Sequence, residues 1–221
     1  MAWSLARTAR GAGCFACPSW CTGAVSEPLV FQHGTAATAF QVAVGGWVAF
    51  ESVMAVRQRS RLRGRPARDP SRFVLSACLA GSIFAAVRLG RDGPVPWPGG
   101  RIWPVAAGLV LIASGIGLRA WSIATLGRFF QYHIQVQAGH RVVTAGPYQY
   151  VRHPSYTGIA LVLGGIALAT GDVLSLAAVA ILGGAGLAVR IRAEERQLTA
   201  ALGAEYERFA AQRKRLLPGV W

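Results

Sequence analysis

Charged residues are scarce in this chain. They make up 14% of its 221 residues, against about 25% in ordinary soluble domains, which argues against a surface bathed mainly in water. Acidic residues are scarcer still: nine Asp and Glu stand against 23 Lys and Arg, for a net charge of +14. Lysine is almost missing, since Lys214 is the only one. Hydrophobic residues reach 53%, and they fall in long blocks separated by charged loops rather than scattered as in a soluble core. The positive charge sits beside those blocks, which reads as membrane topology. No recognition module or aromatic-basic interleaving accompanies it, so nucleic acid is not expected as a partner.

Cysteine is also sparse. Cys14, Cys17 and Cys21 lie near the start and Cys78 lies in an apolar block. The first two are spaced C-x-x-C, but no second pair follows at metal-binding spacing, so no metal site is expected. Residues 1–33 contain no apolar run long enough for a signal-peptide core, and they are expected to form a poorly ordered tail.

A helix needs about 20 mostly apolar residues to cross the roughly 30 Å hydrocarbon core of a bilayer. Five blocks are candidates, at 35–56, 73–89, 103–126, 156–170 and 173–189. The fourth is short, which fits either little tilt or a start inside a partly buried loop. The predicted fold class is therefore all-α: a polytopic membrane protein with about five transmembrane helices and a cytoplasmic C-terminal helix, because lipid leaves strand edges unsatisfied. The expected organisation is the tail, three transmembrane helices over 34–127, and a catalytic region over 128–221. Arginine counting puts the loop after the first block, rich from Arg57 to Arg72, the loop after the third, and the C-terminus in the cytoplasm. Gly115, Gly117 and Ala120 mimic a dinucleotide fingerprint, but no strand precedes them. Close helix packing is the expected use of these and of Gly164, Gly165, Gly183, Gly184 and Gly186.

Two polar segments carry candidate chemistry. Residues 131–158 hold three of the four histidines, His133, His140 and His153. Gly146-Pro147 signals a turn, and Pro154 suits the first position of a helix, which puts His153 at its N-terminus. Singly, these residues read equally well as an interfacial loop; together, with Tyr148 and Tyr156, they read as a pocket lining on a rigid scaffold. The second segment, 190–221, reads as one amphipathic helix continuing out of the fifth span. Ile191, Leu198, Leu202, Tyr206 and Phe209 recur at helical spacing. Glu195 falls within that stripe and Glu194 at its edge. Arg190 and Glu194 share one side. As an exposed pair they would be worth under about 1 kcal/mol. At the point where a span enters the cytoplasm, however, ionisable groups tend to be functional.

These segments resemble the isoprenylcysteine carboxyl methyltransferase family, which is related to the phospholipid methyltransferases. The resemblance rests on H-R-V-V-T-A-G-P-Y at 140–148, R-H-P-S-Y-T-G at 152–158, R-x-x-x-E-E-x-x-L at 190–198 and G-x-x-Y at 203–206. It implies a membrane enzyme that uses S-adenosylmethionine without a Rossmann domain, holding it between the loop and the C-terminal helix. His133, His140, Val142, Val143, Tyr148, His153, Pro154, Ser155, Tyr156 and Glu194 would then bind the cofactor. Arg190 would orient an anionic acceptor group, and Glu195 or His153 would act as base for a hydroxyl acceptor. The acceptor stays open among a lipid carboxylate, a phenolic lipid hydroxyl, a prenylcysteine-like acid and a phospholipid amine. The arginine-heavy composition looks like that of a GC-rich bacterium, which points to the inner membrane. A non-enzymatic transport or assembly protein would account for the spans equally well, but it would not require Arg190, Glu194 and His153 to converge.

Overall fold

The computed structural model describes residues 28–59, 69–93, 95–100, 102–130 and 142–219; His133, His140 and the N-terminal cysteines lie outside them. Six helices occur there: α1 (Thr35–Arg59), α2 (Pro70–Asp92), α3 (Ile102–Leu126), α4 (Pro154–Ala169), α5 (Val173–Leu202) and α6 (Ala204–Gln212). No strand occurs among the described residues beyond two isolated bridges. The chain is an all-α polytopic membrane protein. α1, α2, α3 and α5 are long and apolar enough to cross a bilayer, and α4 is an apolar helix of only 16 residues.

Local chemistry sets the ends. Pro70 and Pro154 occupy first-turn positions in α2 and α4, where a missing N–H costs nothing. Gly93 stops α2 in the left-handed region. α4 turns into α5 through Thr170, Gly171 (φ +79°) and Asp172. Asp172 is fully buried. Its carboxylate accepts from Ser175 N (3.1 Å) at the start of α5 and from Val95 N (2.7 Å) in the α2–α3 loop. The α4–α5 turn thus meets the α2–α3 loop at one end of the bundle.

α4 runs through the centre. Its Val162, Ile166 and Ala169 pack into one buried cluster with Phe40 and Trp47 of α1 and Ile112 of α3. Its Ile159, Leu163 and Ala167 pack into another with Ala86 of α2 and Leu187 of α5. The α3–α4 contact is backbone on backbone. A Cβ on Gly115 would lie 2.5 Å from the Gly158 carbonyl oxygen, and one on Gly158 would lie 2.7 Å from that of Gly115. Gly108 and Gly165 are related in the same reciprocal way, at 2.6 Å. Without a hydrophobic drive between helices in lipid, such close approach supplies the packing. Gly183 and Gly186 also face neighbours, Leu163 and Cys78. Gly117, Gly164 and Gly184 do not pack as expected: they have open space where a Cβ would stand.

At about 1.5 Å per residue α4 is roughly 24 Å long, short of the hydrocarbon core. The register explains why. Gly158 meets Gly115, well before α3 ends at Leu126. The chain leading into α4 therefore dips into the bundle, with Pro147, Tyr148, Val151 and His153 all buried. Arg119, one turn on from Gly115, is buried here. It makes a two-point ion pair with Glu51 of α1, including Nη2 to Oε2 at 2.8 Å, and its Nη1 donates to Ser155 Oγ at 2.7 Å.

The C-terminal region departs from the expected single helix. At Gly203 the backbone reaches φ +53°, ψ −130°, which ends α5. α6 then sets off on a new course with Tyr206 and Phe209 buried, and residues 213–219 are irregular.

Two outcomes test this packing. Gly115→Ala should lower the thermal midpoint in detergent by the equivalent of about 1–3 kcal/mol, as overpacking does, whereas Gly117→Ala should leave it unchanged. Glu51→Leu should destabilise by roughly 2–4 kcal/mol by removing the carboxylate that balances the buried Arg119 charge, and adding Arg119→Leu should restore most of the loss. Additive single effects would break that coupling.

Candidate functional site

A cavity of about 510 Å³ opens where α1, α3 and α5 run out of the bundle and α2 and α4 begin. That volume lies in the range of small-molecule sites. α1 contributes Trp47, Glu51, Ser52 and Ala55, and α2 contributes Arg72, Leu75, Ser76 and Leu79. Each set follows helical spacing, so one face of each helix forms a wall. Phe129 and Phe130 close the α3 end, and Tyr206 and Phe209 of α6 close another side.

The polar wall comes from the recessed loop and α5. Arg190, Glu194, Leu198 and Leu202 form an every-fourth-residue row on α5 that faces the cavity. Arg190 and Glu194 are joined through a tyrosine rather than directly. Tyr156 Oη donates to Glu194 Oε2 at 2.7 Å and accepts from Arg190 Nε at 3.1 Å. Arg190 Nη1 also pairs closely with Asp69, which precedes α2, and donates to Ser71 Oγ at 2.9 Å. The guanidinium is thus locked in place, 2% exposed. The Glu194 carboxylate faces the cavity with the Tyr156 hydroxyl as its donor.

Tyr148 enters from the Gly146–Gln149 turn. Burial, then the nearby Glu194 carboxylate, pushes its phenol well above the ordinary value, so it stays a neutral hydroxyl at any physiological pH. Tyr206 is raised for the same reason, burial first and then Glu195 and Glu194. The His153 and Tyr156 rings lie 5.7 Å apart at the foot of α4. Trp47 Nε1 is buried with no hydrogen-bond partner among the described residues, and Tyr206 Oη lies against Arg152 without a well-aligned bond. Buried polar atoms without partners call for a ligand or water.

The sequence-derived candidates divide accordingly. Val142, Val143, Tyr148, His153, Ser155, Tyr156, Arg190 and Glu194 all line the cavity. Pro154 is buried at the start of α4 and is not part of the lining. Glu195 does not line this cavity and lies about 100° around α5 from Glu194. Its carboxylate holds Arg152 Nη1 (2.7 Å), His153 Nε2 (3.3 Å) and Arg215 (2.9 Å). His133 and His140 lie outside the described residues. Sequence reasoning missed the α1–α2 wall and the Glu51–Arg119 pair. The available signal was one acid and one base set within two predicted spans, where ionisable groups seldom stand without purpose.

Comparison with known proteins gives a consistent result. Residues 107–200 match the isoprenylcysteine carboxyl methyltransferase family. Protein-S-isoprenylcysteine O-methyltransferase B of Arabidopsis thaliana is 34% identical over 110 residues, covering 49% of this chain and 56% of that protein. The uncharacterized protein YpbQ of Bacillus subtilis (strain 168) is 30% identical over 117 residues, covering 53% of this chain and 66% of that protein. Protein-S-isoprenylcysteine O-methyltransferase of Rattus norvegicus is 40% identical over 58 residues, covering 25% of this chain and 20% of that protein. The match thus spans little more than half the length of the Arabidopsis relative. The matched stretch contains α4, the recessed loop and the Arg190–Glu194 row, and over it the chain is similar to the isoprenylcysteine carboxyl methyltransferase family.

Proposed function

We propose that this chain is an S-adenosylmethionine-dependent methyltransferase that acts on a lipid-like acceptor, an O-methyltransferase of a carboxylate or a phenolic hydroxyl. The observation that carries this reading is the convergence of Tyr148, His153, Tyr156, Arg190 and Glu194 on one cavity. Relatives named as protein-S-isoprenylcysteine O-methyltransferases support the reaction class.

The cavity residues suit such a cofactor. Its positive groups call for a carboxylate and for aromatic faces; Glu194 and the rings of Tyr148 and Tyr156 offer both. Buried hydroxyl and indole groups with no aligned bond, Tyr206 and Trp47, could pair with its polar edges. When bound, the cofactor supplies an electrophilic methyl group on a sulfonium. The protein's part is then alignment and exclusion of water. Glu194 would hold positive charge, with Tyr156 fixing its orientation. Arg190, immobilised by Asp69 and Ser71, would orient an acceptor oxygen. An ionised carboxylate acceptor needs no base at neutral pH. A hydroxyl acceptor needs one, and His153, backed by Glu195, is the cavity-lining candidate.

The apolar lining, Leu75 and Leu79 of α2 with Leu126, Phe129, Phe130 and Ile159, is where a lipid tail would lie. The cavity opens where α1 ends and α2 begins, beside Arg57 and Arg72, which favours the cytoplasmic face of a bacterial inner membrane.

Calorimetry with S-adenosylhomocysteine on the detergent-solubilised protein should show binding. Glu194→Ala should weaken it by about 10- to 100-fold, the value of a charge-assisted contact, and should abolish methyl transfer with the helical circular dichroism unchanged. Tyr156→Phe should give an intermediate loss. A wild-type protein that gives no binding heat at millimolar ligand would refute the assignment.

A further inference from the structure

The described chain ends in a segment that lies beyond the family match and has no role in the chemistry above. After α6, residues 213–216 run beside the stretch that leads into α4, with a parallel bridge between Val151 and Lys214. Arg152 N donates to Lys214 O at 2.9 Å, His153 N donates to Arg215 O at 2.9 Å, and Thr157 Oγ1 donates to Leu216 O at 2.9 Å. Arg213 donates to Gln149 O at 3.2 Å and lies 4.7 Å over the Phe209 ring. Arg215 pairs with Glu195 at 2.9 Å. Each residue of this strap therefore engages either the recessed loop, the foot of α4 or the cavity-bearing helix.

We propose that the C-terminal strap is a positioning element of the donor site, with Arg215 and Glu195 as its positioning residues. The proposal rests on the donor assignment above. Three features of the geometry carry it. The strap carbonyls satisfy the main-chain N–H groups of Arg152 and His153, whose stretch is sunk into the bundle and has few other acceptors in reach. The Glu195 carboxylate, about 100° around α5 from Glu194, gathers Arg152, His153 and Arg215 at the edge of the cavity. That cluster fixes the rotation of α5 at the level of its neighbour Glu194, which faces the cavity. Finally, α6 is held at both ends, by the turn at Gly203 and by Arg213, so that Tyr206 and Phe209 stay in the cavity wall. Loosening the strap frees the loop wall and the α6 wall at once and leaves the α1–α2 wall in place.

Calorimetry with S-adenosylhomocysteine on the full-length protein separates this from a merely structural role, because site number and affinity are read independently. Arg215→Ala should weaken affinity by about two- to fivefold, the reach of a partly exposed ion pair, with stoichiometry and thermal midpoint close to wild type. Arg215→Lys should recover part of the affinity by keeping a charge toward Glu195. Thr157→Val, which deletes one strap bond and is mild enough to fold, should weaken affinity to a lesser degree. If the variants lower stoichiometry and midpoint while the remaining molecules bind with wild-type affinity, the strap is structural only and the proposal is overturned. Absence of binding by the wild-type protein is a different result: it removes the donor assignment, and the strap's role with it.

Discussion

The structure depends on the closeness of α3 and α4. Two pairs of glycines bring the backbones together at reciprocal positions, Gly108 with Gly165 and Gly115 with Gly158. This contact fixes more than a crossing. It sets how deep α4 begins, and so obliges the loop before it to sink into the bundle. The polar groups of that loop reach a region surrounded by apolar helices because the helix following them is held low. It also sets Ser155 against Arg119, one turn from the glycine contact, which ties the foot of α4 to α1 through Glu51.

A second constraint is electrostatic. Three arginines near the cavity are each held by a carboxylate from another part of the chain: Arg119 by Glu51, Arg190 by Asp69, and Arg152 by Glu195. Burying a guanidinium without such a partner is costly. Each pairing therefore fastens two segments that would otherwise be joined only by apolar contact, which is weakly directional in lipid. Glu194 differs from these acids. Its partner is the Tyr156 hydroxyl rather than an arginine, and like Glu51 it lines the cavity. Glu194 is thus a cavity-lining carboxylate held by a neutral donor.

Much of this was legible in the residues. Long apolar blocks gave the five helices, and the short fourth block was readable as one that starts inside a buried loop. Histidine, tyrosine and arginine in the loop before it, and Arg190 with Glu194, stood out because polar types are rare in this chain. Three things were not legible. The glycines that pack and those that face outward have the same surroundings in sequence, since both sides of a helix in lipid are apolar and periodicity loses its sign. Glu195 follows Ile191 by one turn, and at its level that side of α5 meets the loop before α4 and Arg215. The real stripe divides: Ile191 is buried in the bundle, Leu198 and Leu202 face the cavity, and Tyr206 and Phe209 belong to a helix with a different axis. The α1–α2 wall depends on pairing across long separations, which spacing within one segment cannot reveal.

The turn at Gly203 has a consequence for how such a pocket can be made or lost. Its backbone conformation is one that side-chain-bearing residues rarely adopt. Any other amino acid there favours a helix that keeps going, pointing Tyr206 and Phe209 out into the aqueous phase like a raised drawbridge. One small residue therefore decides whether a membrane rod folds over to roof a chamber or merely protrudes. The G-x-x-Y spacing can be understood as a mechanical instruction: bend here, then present an aromatic ring one turn later.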